Sequence, residues 1–155
     1  MVEKLVKLGL ASALLACLGA GLAHAGASDD VIKARQNCMK NGEAAMMKAL
    51  GGIAKGDAPY SADAVNAALK LEEVACADWD KFWVAGTEKG EMAETKTNAK
   101  PEVFSDAKGF GEAGGVWYAA FTAVQKTTDL AGLQAAVPML GKACQGCHEK
   151  YRVSN

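Results

Sequence analysis

Histidine is nearly absent from this chain: His24 and His148 are its two histidines in 155 residues. No second pair of cysteines or histidines stands at metal-ligand spacing. That excludes a structural zinc site, which needs four ligands usually supplied as two such pairs. No stretch alternates apolar and polar residues at period two, so the sequence carries no signal for a sheet. Without a βαβ pattern a thioredoxin-like dithiol has no scaffold. Lysine and arginine form no cluster and the formal net charge is −1, so nothing points to nucleic acid. The charged runs are short and mixed, as on an ordinary solvated surface. The longest apolar run, residues 8–22, is too short and wrongly flanked for a stable membrane span.

That run reads instead as the core of a secretory signal peptide. Lys4 and Lys7 precede it, and Ala23-His24-Ala25 offers a small-residue cleavage site. The expected organisation is a signal peptide at 1–25 and one domain at 26–155, exported to the periplasm. Two other readings stand beside it: a retained membrane anchor, and lipid processing at Cys17, because Leu14-Leu15-Ala16-Cys17 is similar to a lipobox. Removing the leader changes the formal charge to −2 and leaves His148 as the single histidine of the domain.

Cys144-Gln145-Gly146-Cys147-His148 is the most informative stretch. It reads C-x-x-C-H, the attachment signature of a c-type haem. The spacing follows from the chemistry. Two thiols must reach two vinyl groups of one porphyrin, and an imidazole must reach its iron. On a helix, Cys147 and His148 follow Cys144 by three and four, so all three share a face. The apolar series Leu133, Val137, Leu140, Cys144, Cys147, Tyr151 runs through the motif at helical spacing.

The remainder reads as four helices joined by short connections. The first is expected from Asp29, as N-cap, to about Ile53, with a seam of Ile32, Arg35, Met39, Gly42, Met46, Ala49 and Ile53. Gly56-Asp57-Ala58-Pro59 breaks the chain. The second follows Ser61 as N-cap, carries Val65, Leu69, Cys76, Trp79 and Trp83 on one stripe, and ends at Gly86. Residues 86–100 are expected to form a polar loop. The third begins at Pro101 and holds Gly109, Gly111, Gly114 and Gly115, which mark either close approach of a helix or flat cofactor, or a locally weak helix. The fourth follows Asp129, carries the C-x-x-C-H motif and contains Pro138, which is expected to kink it. Short loops between four helices predict an all-α antiparallel four-helix bundle with its cofactor between helices. Cys38 and Cys76 fall at the same height if the first two helices form a hairpin. An even remainder of cysteines in an exported chain permits a disulfide, and two buried thiols are the alternative.

Four stretches resemble the class II cytochromes c, the cytochrome c′ and cytochrome c-556 family. They are Val31-Ile32-Lys33-Ala34-Arg35-Gln36, Gly56-Asp57-Ala58-Pro59-Tyr60, Lys100-Pro101-Glu102, and Gly141-Lys142-Ala143-Cys144 continuing through Cys147-His148-Glu149-Lys150-Tyr151-Arg152. The resemblance implies one covalent haem c held by Cys144 and Cys147, with His148 as proximal iron ligand. It places Met39 as distal ligand, and Lys40-Asn41-Gly42 with Met46-Met47 look like the low-spin c-556 branch. Met39 as simple core filler is the other reading. Arg35 and Gln36 are implied beside the haem, Arg35 toward a propionate, although a snorkelling Arg35 would serve packing alone. Arg152 is implied near the proximal histidine, where a solvated cation at a helix end is the alternative.

The function so implied is a periplasmic electron carrier rather than an enzyme. Its partners would be redox proteins and, through the first two helices, a second copy. No nucleic acid and no integral membrane segment after processing are expected. The alternative is a pentacoordinate cytochrome c′ that binds nitric oxide or carbon monoxide. A peroxidase would want a distal acid–base residue, and no second histidine remains for it.

Overall fold

The computed structural model describes residues 18–88 and 95–154, with side chains from residue 28 onward. The expected leader and Cys17 lie largely outside them. The described chain is an antiparallel four-helix bundle, with one isolated bridge between Ala99 and Arg152 in place of any strand. Among the described residues no helix is long and apolar enough to cross a membrane.

The first rod comprises α1 (Leu18–Asn37), a π-helical turn (Cys38–Glu43) and α2 (Ala44–Lys55). It starts before Asp29 because the preceding alanine- and leucine-rich sequence is itself helix-favouring. Asp29 is therefore not a cap; its carboxylate accepts the Thr95 N–H at 2.7 Å. The π turn widens the rod and shifts its phase, so Cys38 and Leu50 are fully buried while Met39 and Ala49 are half-buried. Gly56 ends the rod in the left-handed region at φ 86°, with the Asp57 N–H returning to the Gly52 carbonyl at 2.9 Å.

Ser61 caps α3 (Ala62–Ala75) by accepting the Ala64 N–H, as the sequence indicates. α3 ends well before Gly86. Cys76 is bonded to Cys38, with Cα atoms 4.8 Å apart, and Phe82, Trp79 and Trp83 pack back onto that bond through a 3₁₀ turn (Trp79–Lys81). A straight helix would have carried those rings away from the disulfide.

The third rod is split. α4 (Glu102–Ser105) stops at Asp106, whose carboxylate then caps α5 (Ala107–Gln125) through the Gly109 N–H at 3.1 Å. The same carboxylate receives the Tyr151 hydroxyl at 2.8 Å and lies 2.7 Å from the Lys150 ammonium, which together lower its pKa to about 2. A Cβ at Gly109 would sit within 2.7 Å of the Tyr151 hydroxyl and the Lys150 ammonium, so this glycine marks a close approach. Asp129 caps α6 (Leu130–Tyr151), which runs unbroken through Pro138.

α5 packs along α6, and α2 along α3 and α6. Met46, Leu50, Val124, Leu133 and Leu140 form the main core at one end. Cys38, Cys76 and Phe82 form a smaller cluster toward the other. The disulfide closes a segment with a sequence separation of 38, for which loop closure gives roughly 3–4 kcal/mol of stabilisation. The Cys38→Ser, Cys76→Ser double variant is expected to lose stability of that order, read as a lower unfolding free energy and urea midpoint, with an m-value no smaller because the freed unfolded chain expands.

Candidate functional site

Between the two clusters the bundle leaves a cavity of about 560 Å³, walled by the π turn, α3, α5 and α6. That volume lies within the roughly 300–1,000 Å³ of cofactor and small-molecule sites. Its lining is mostly apolar: Trp79, Phe110, Trp117 and Phe121 contribute rings, and Gly111 and Gly114 contribute bare backbone. A Cβ at either glycine would meet nothing within 4 Å. Two bare positions about one turn apart thus leave a slot along α5. Gly109 serves helix approach, and Gly111 and Gly114 serve the slot.

Cys144, Cys147 and His148 line this cavity together from α6, as their spacing requires. The thiols are neutral. Burial, then the nearby Glu43 and Cys147, push Cys144 up to about 11, and burial raises Cys147. Such thiols are poor nucleophiles, unlike those of a redox dithiol. Burial, then the Arg152 charge, lowers the His148 pKa, favouring the neutral imidazole that ligates metals. Met39 lines the same cavity from the π turn. A flat apolar slot, two neutral thiols and a neutral imidazole on one wall fit a covalently held porphyrin.

The structure gives Arg35 a different set of contacts. It is buried, but its partners are protein groups. Nη1 donates to the Phe82 carbonyl and the Thr87 hydroxyl, both at 3.1 Å, and Nη2 to the Thr87 carbonyl at 2.7 Å and the Thr97 hydroxyl at 3.0 Å. The guanidinium also stands 5.0 Å from the Trp83 ring centroid. Arg35 does not line the cavity; it fastens Phe82, Thr87 and Thr97 to the first rod. Gln36 is exposed and donates to the Lys96 carbonyl at 2.7 Å. Arg152 is exposed at the end of α6, with its backbone N–H on the His148 carbonyl at 3.0 Å and its strand-like pairing to Ala99.

Two cavity residues escape a reading of the sequence alone, Glu43 and Glu72. The signal for Glu72 is present: it falls between Leu69 and Cys76 on the inner stripe of α3. Glu43 is reached only once the π turn has shifted the phase of the first rod. The Trp117 indole N–H lies near Glu43 and Cys144 and favours their charged forms, although it forms no hydrogen bond of regular geometry.

Comparison with known proteins agrees with this geometry. The sequence pattern of the family described as Cytochrome C′ matches residues 30–152. Cytochrome c-556 of Rhodopseudomonas palustris is 33% identical over 127 residues, covering 81% of this chain and 85% of that protein. The crystal structure of cytochrome c′ from Rubrivivax gelatinosus superposes with a TM-score of 0.69 at 32% identity, covering 81% of this chain and 97% of that one. A nitric oxide complex of a cytochrome c prime mutant from Alcaligenes xylosoxidans gives 0.69 at 28% identity, covering 83% and 97%.

A side chain placed at Gly114 would enter the slot. Gly114→Leu is expected to leave far-ultraviolet circular dichroism unchanged while cutting haem bound per chain several-fold.

Proposed function

Because the chain belongs to the cytochrome c′ family, whose members bind haem c covalently, we propose that this cavity is the haem site of a one-electron carrier. Cys144 and Cys147 hold the cofactor by thioether bonds, and His148 supplies the proximal ligand. Met39 supplies the distal one. The observation that carries the reading is that Met39 and His148, far apart in sequence, line one cavity from different walls. When bound, haem supplies a reversible one-electron iron couple. Held by a thioether and an imidazole, that couple would have a raised potential suited to electron transfer.

The chain's own residues do the rest. The Trp79, Phe110 and Trp117 rings give the cavity an apolar wall. Burial, and after it the Arg152 charge, lowers the His148 pKa and favours the neutral imidazole that ligates. Arg35 and Gln36 tie Thr87 and Lys96 to the first rod, and the family motif assigns both a place beside the haem. The site is periplasmic in this reading, the leader at 1–25 directs export, and the partners are redox proteins.

A second reading rests on the nitric oxide complex among the structural relatives. The comparisons support a five-coordinate cytochrome c′ that binds nitric oxide or carbon monoxide at least as well as the electron carrier. In that case Met39 only packs against the distal face.

The absorption spectrum of the haem-loaded protein separates the two. The expected outcome is a low-spin spectrum indifferent to carbon monoxide, with Met39→Ala becoming high-spin, binding carbon monoxide and shifting to lower potential. A high-spin unsubstituted protein whose spectrum moves with carbon monoxide would sink the electron-carrier reading in favour of gas binding.

A further inference from the structure

The haem reading leaves two acids in the apolar cavity without a task. Glu43 projects from the π turn and Glu72 from α3, and both line the cavity. Their closest carboxylate oxygens and the Cys76 sulfur lie within 4.8 Å of one another. That sulfur is bonded to Cys38, so the cluster lacks a third ligand for a metal ion. Among the described residues neither acid has a salt bridge, and Glu43 Oε2 is buried without a hydrogen bond. A buried unpaired polar atom at a cofactor site calls for a functional account.

Among the described residues no cationic side chain pairs with either acid, and burial lowers the pKa of His148 on the same cavity. α5 presents the Trp117 N–H, and α6 presents Cys144, whose sulfur no longer titrates once it forms a thioether. Beside Glu72 on α3 stands Glu73, which acts on it as a like charge and is itself 3.5 Å from Lys70. On the first rod Lys40 and Lys48 are exposed. Two carboxyls so close in a low-dielectric site do not both ionise near neutral pH. Burial first, then Glu72, pushes Glu43 up to about 7, and burial first, then Glu73, raises Glu72.

We propose that Glu43 and Glu72 form a proton-exchange site of the haem cavity, so that reduction of the haem draws one proton from solvent onto the pair and oxidation releases it. The proposal rests on the haem reading above and deepens it. One electron comes from a one-electron donor protein and passes to the iron. One proton comes from water and bonds to a carboxylate oxygen of the pair, and no other bond changes. The coupling is Coulombic: added negative charge in a low-dielectric cavity raises the proton affinity of acids within it. Glu72, only half-buried, gives the pair its contact with solvent.

The test is the midpoint potential of the haem-loaded protein from pH 5 to 9, in the unsubstituted chain, Glu43→Gln and Glu72→Gln. A one-electron, one-proton couple moves by about 59 mV for each tenfold change in proton concentration. The unsubstituted protein is expected to approach that slope around neutral pH. Glu43→Gln should flatten it there, and Glu72→Gln should move the sloping window to lower pH by removing the like charge. A flat unsubstituted protein, or a slope that survives Glu43→Gln, would overturn the proposal and place any coupled proton elsewhere, such as the haem propionates. If Glu43→Gln does not fold, the reduced-minus-oxidised infrared spectrum of the unsubstituted protein decides. A protonated carboxyl band that shifts in D₂O and is displaced in Glu72→Gln supports the pair; no band, or one that Glu72→Gln leaves unmoved, overturns it. The pyridine haemochrome spectrum of the same samples reports the thioether bonds, so failure of the haem reading is seen separately from failure of the proton coupling.

Discussion

A slot that no side chain fills is the constraint on which the rest of the bundle depends. Protein interiors pack to crystal density, and an unfilled apolar space forfeits dispersion contacts on every wall. The chain meets this by dividing its interior. The Met46–Leu50–Leu133–Leu140 core holds the four rods together at one end, and the Cys38–Cys76 bond with its aromatic neighbours holds the first two at the other. Between them α5 gives up side chains at Gly111 and Gly114. The helix-propensity cost of those glycines, about 1 kcal/mol each relative to alanine, is the local expense of keeping the slot open. A ligand that fills the slot restores the lost contacts and stabilises the fold that binds it.

The polar groups around the slot sort by how well they are met. Arg35 is buried with four protein acceptors and a ring beneath it, so its charge is fully accommodated and serves to fasten Phe82, Thr87 and Thr97. Asp106 is met by a backbone N–H, a phenol and an ammonium, and it locks the α4–α5 corner to the end of α6. Glu43 stands at the opposite extreme, with a buried oxygen that accepts no hydrogen bond. The difference separates groups that build the frame from one that faces the chemistry.

Much of this was legible in the sequence. Ser61 and Asp129 announce their helices by side-chain chemistry that is purely local, and the structure uses both as caps. The C-x-x-C-H spacing puts Cys144, Cys147 and His148 on one wall because helical geometry leaves no other outcome. What escaped was set by tertiary contacts. Helical periodicity carries Trp79 and Trp83 onward along α3, yet packing around the disulfide turns them back after Ala75. Pro101 marks a helix start, but the break at Asp106 depends on Tyr151 and Lys150, more than forty positions away. The π turn has no sequence signature of its own, and it decides that Cys38 faces α3 while Met39 and Glu43 face the cavity.

The bond between Cys38 and Cys76 also governs the fate of the other sulfurs. Four thiols that meet an oxidant can pair in three ways. Two of those pairings tie the first hairpin to α6 and consume both sulfurs of the C-x-x-C motif. Closing the shorter loop within the N-terminal half costs less chain entropy than reaching Cys144 or Cys147. Once it is closed, no cysteine of that half remains to attack the motif, and burial keeps Cys144 and Cys147 protonated and slow to oxidise. The disulfide is thus a sorting device for maturation: it removes two sulfurs from circulation and reserves the other two.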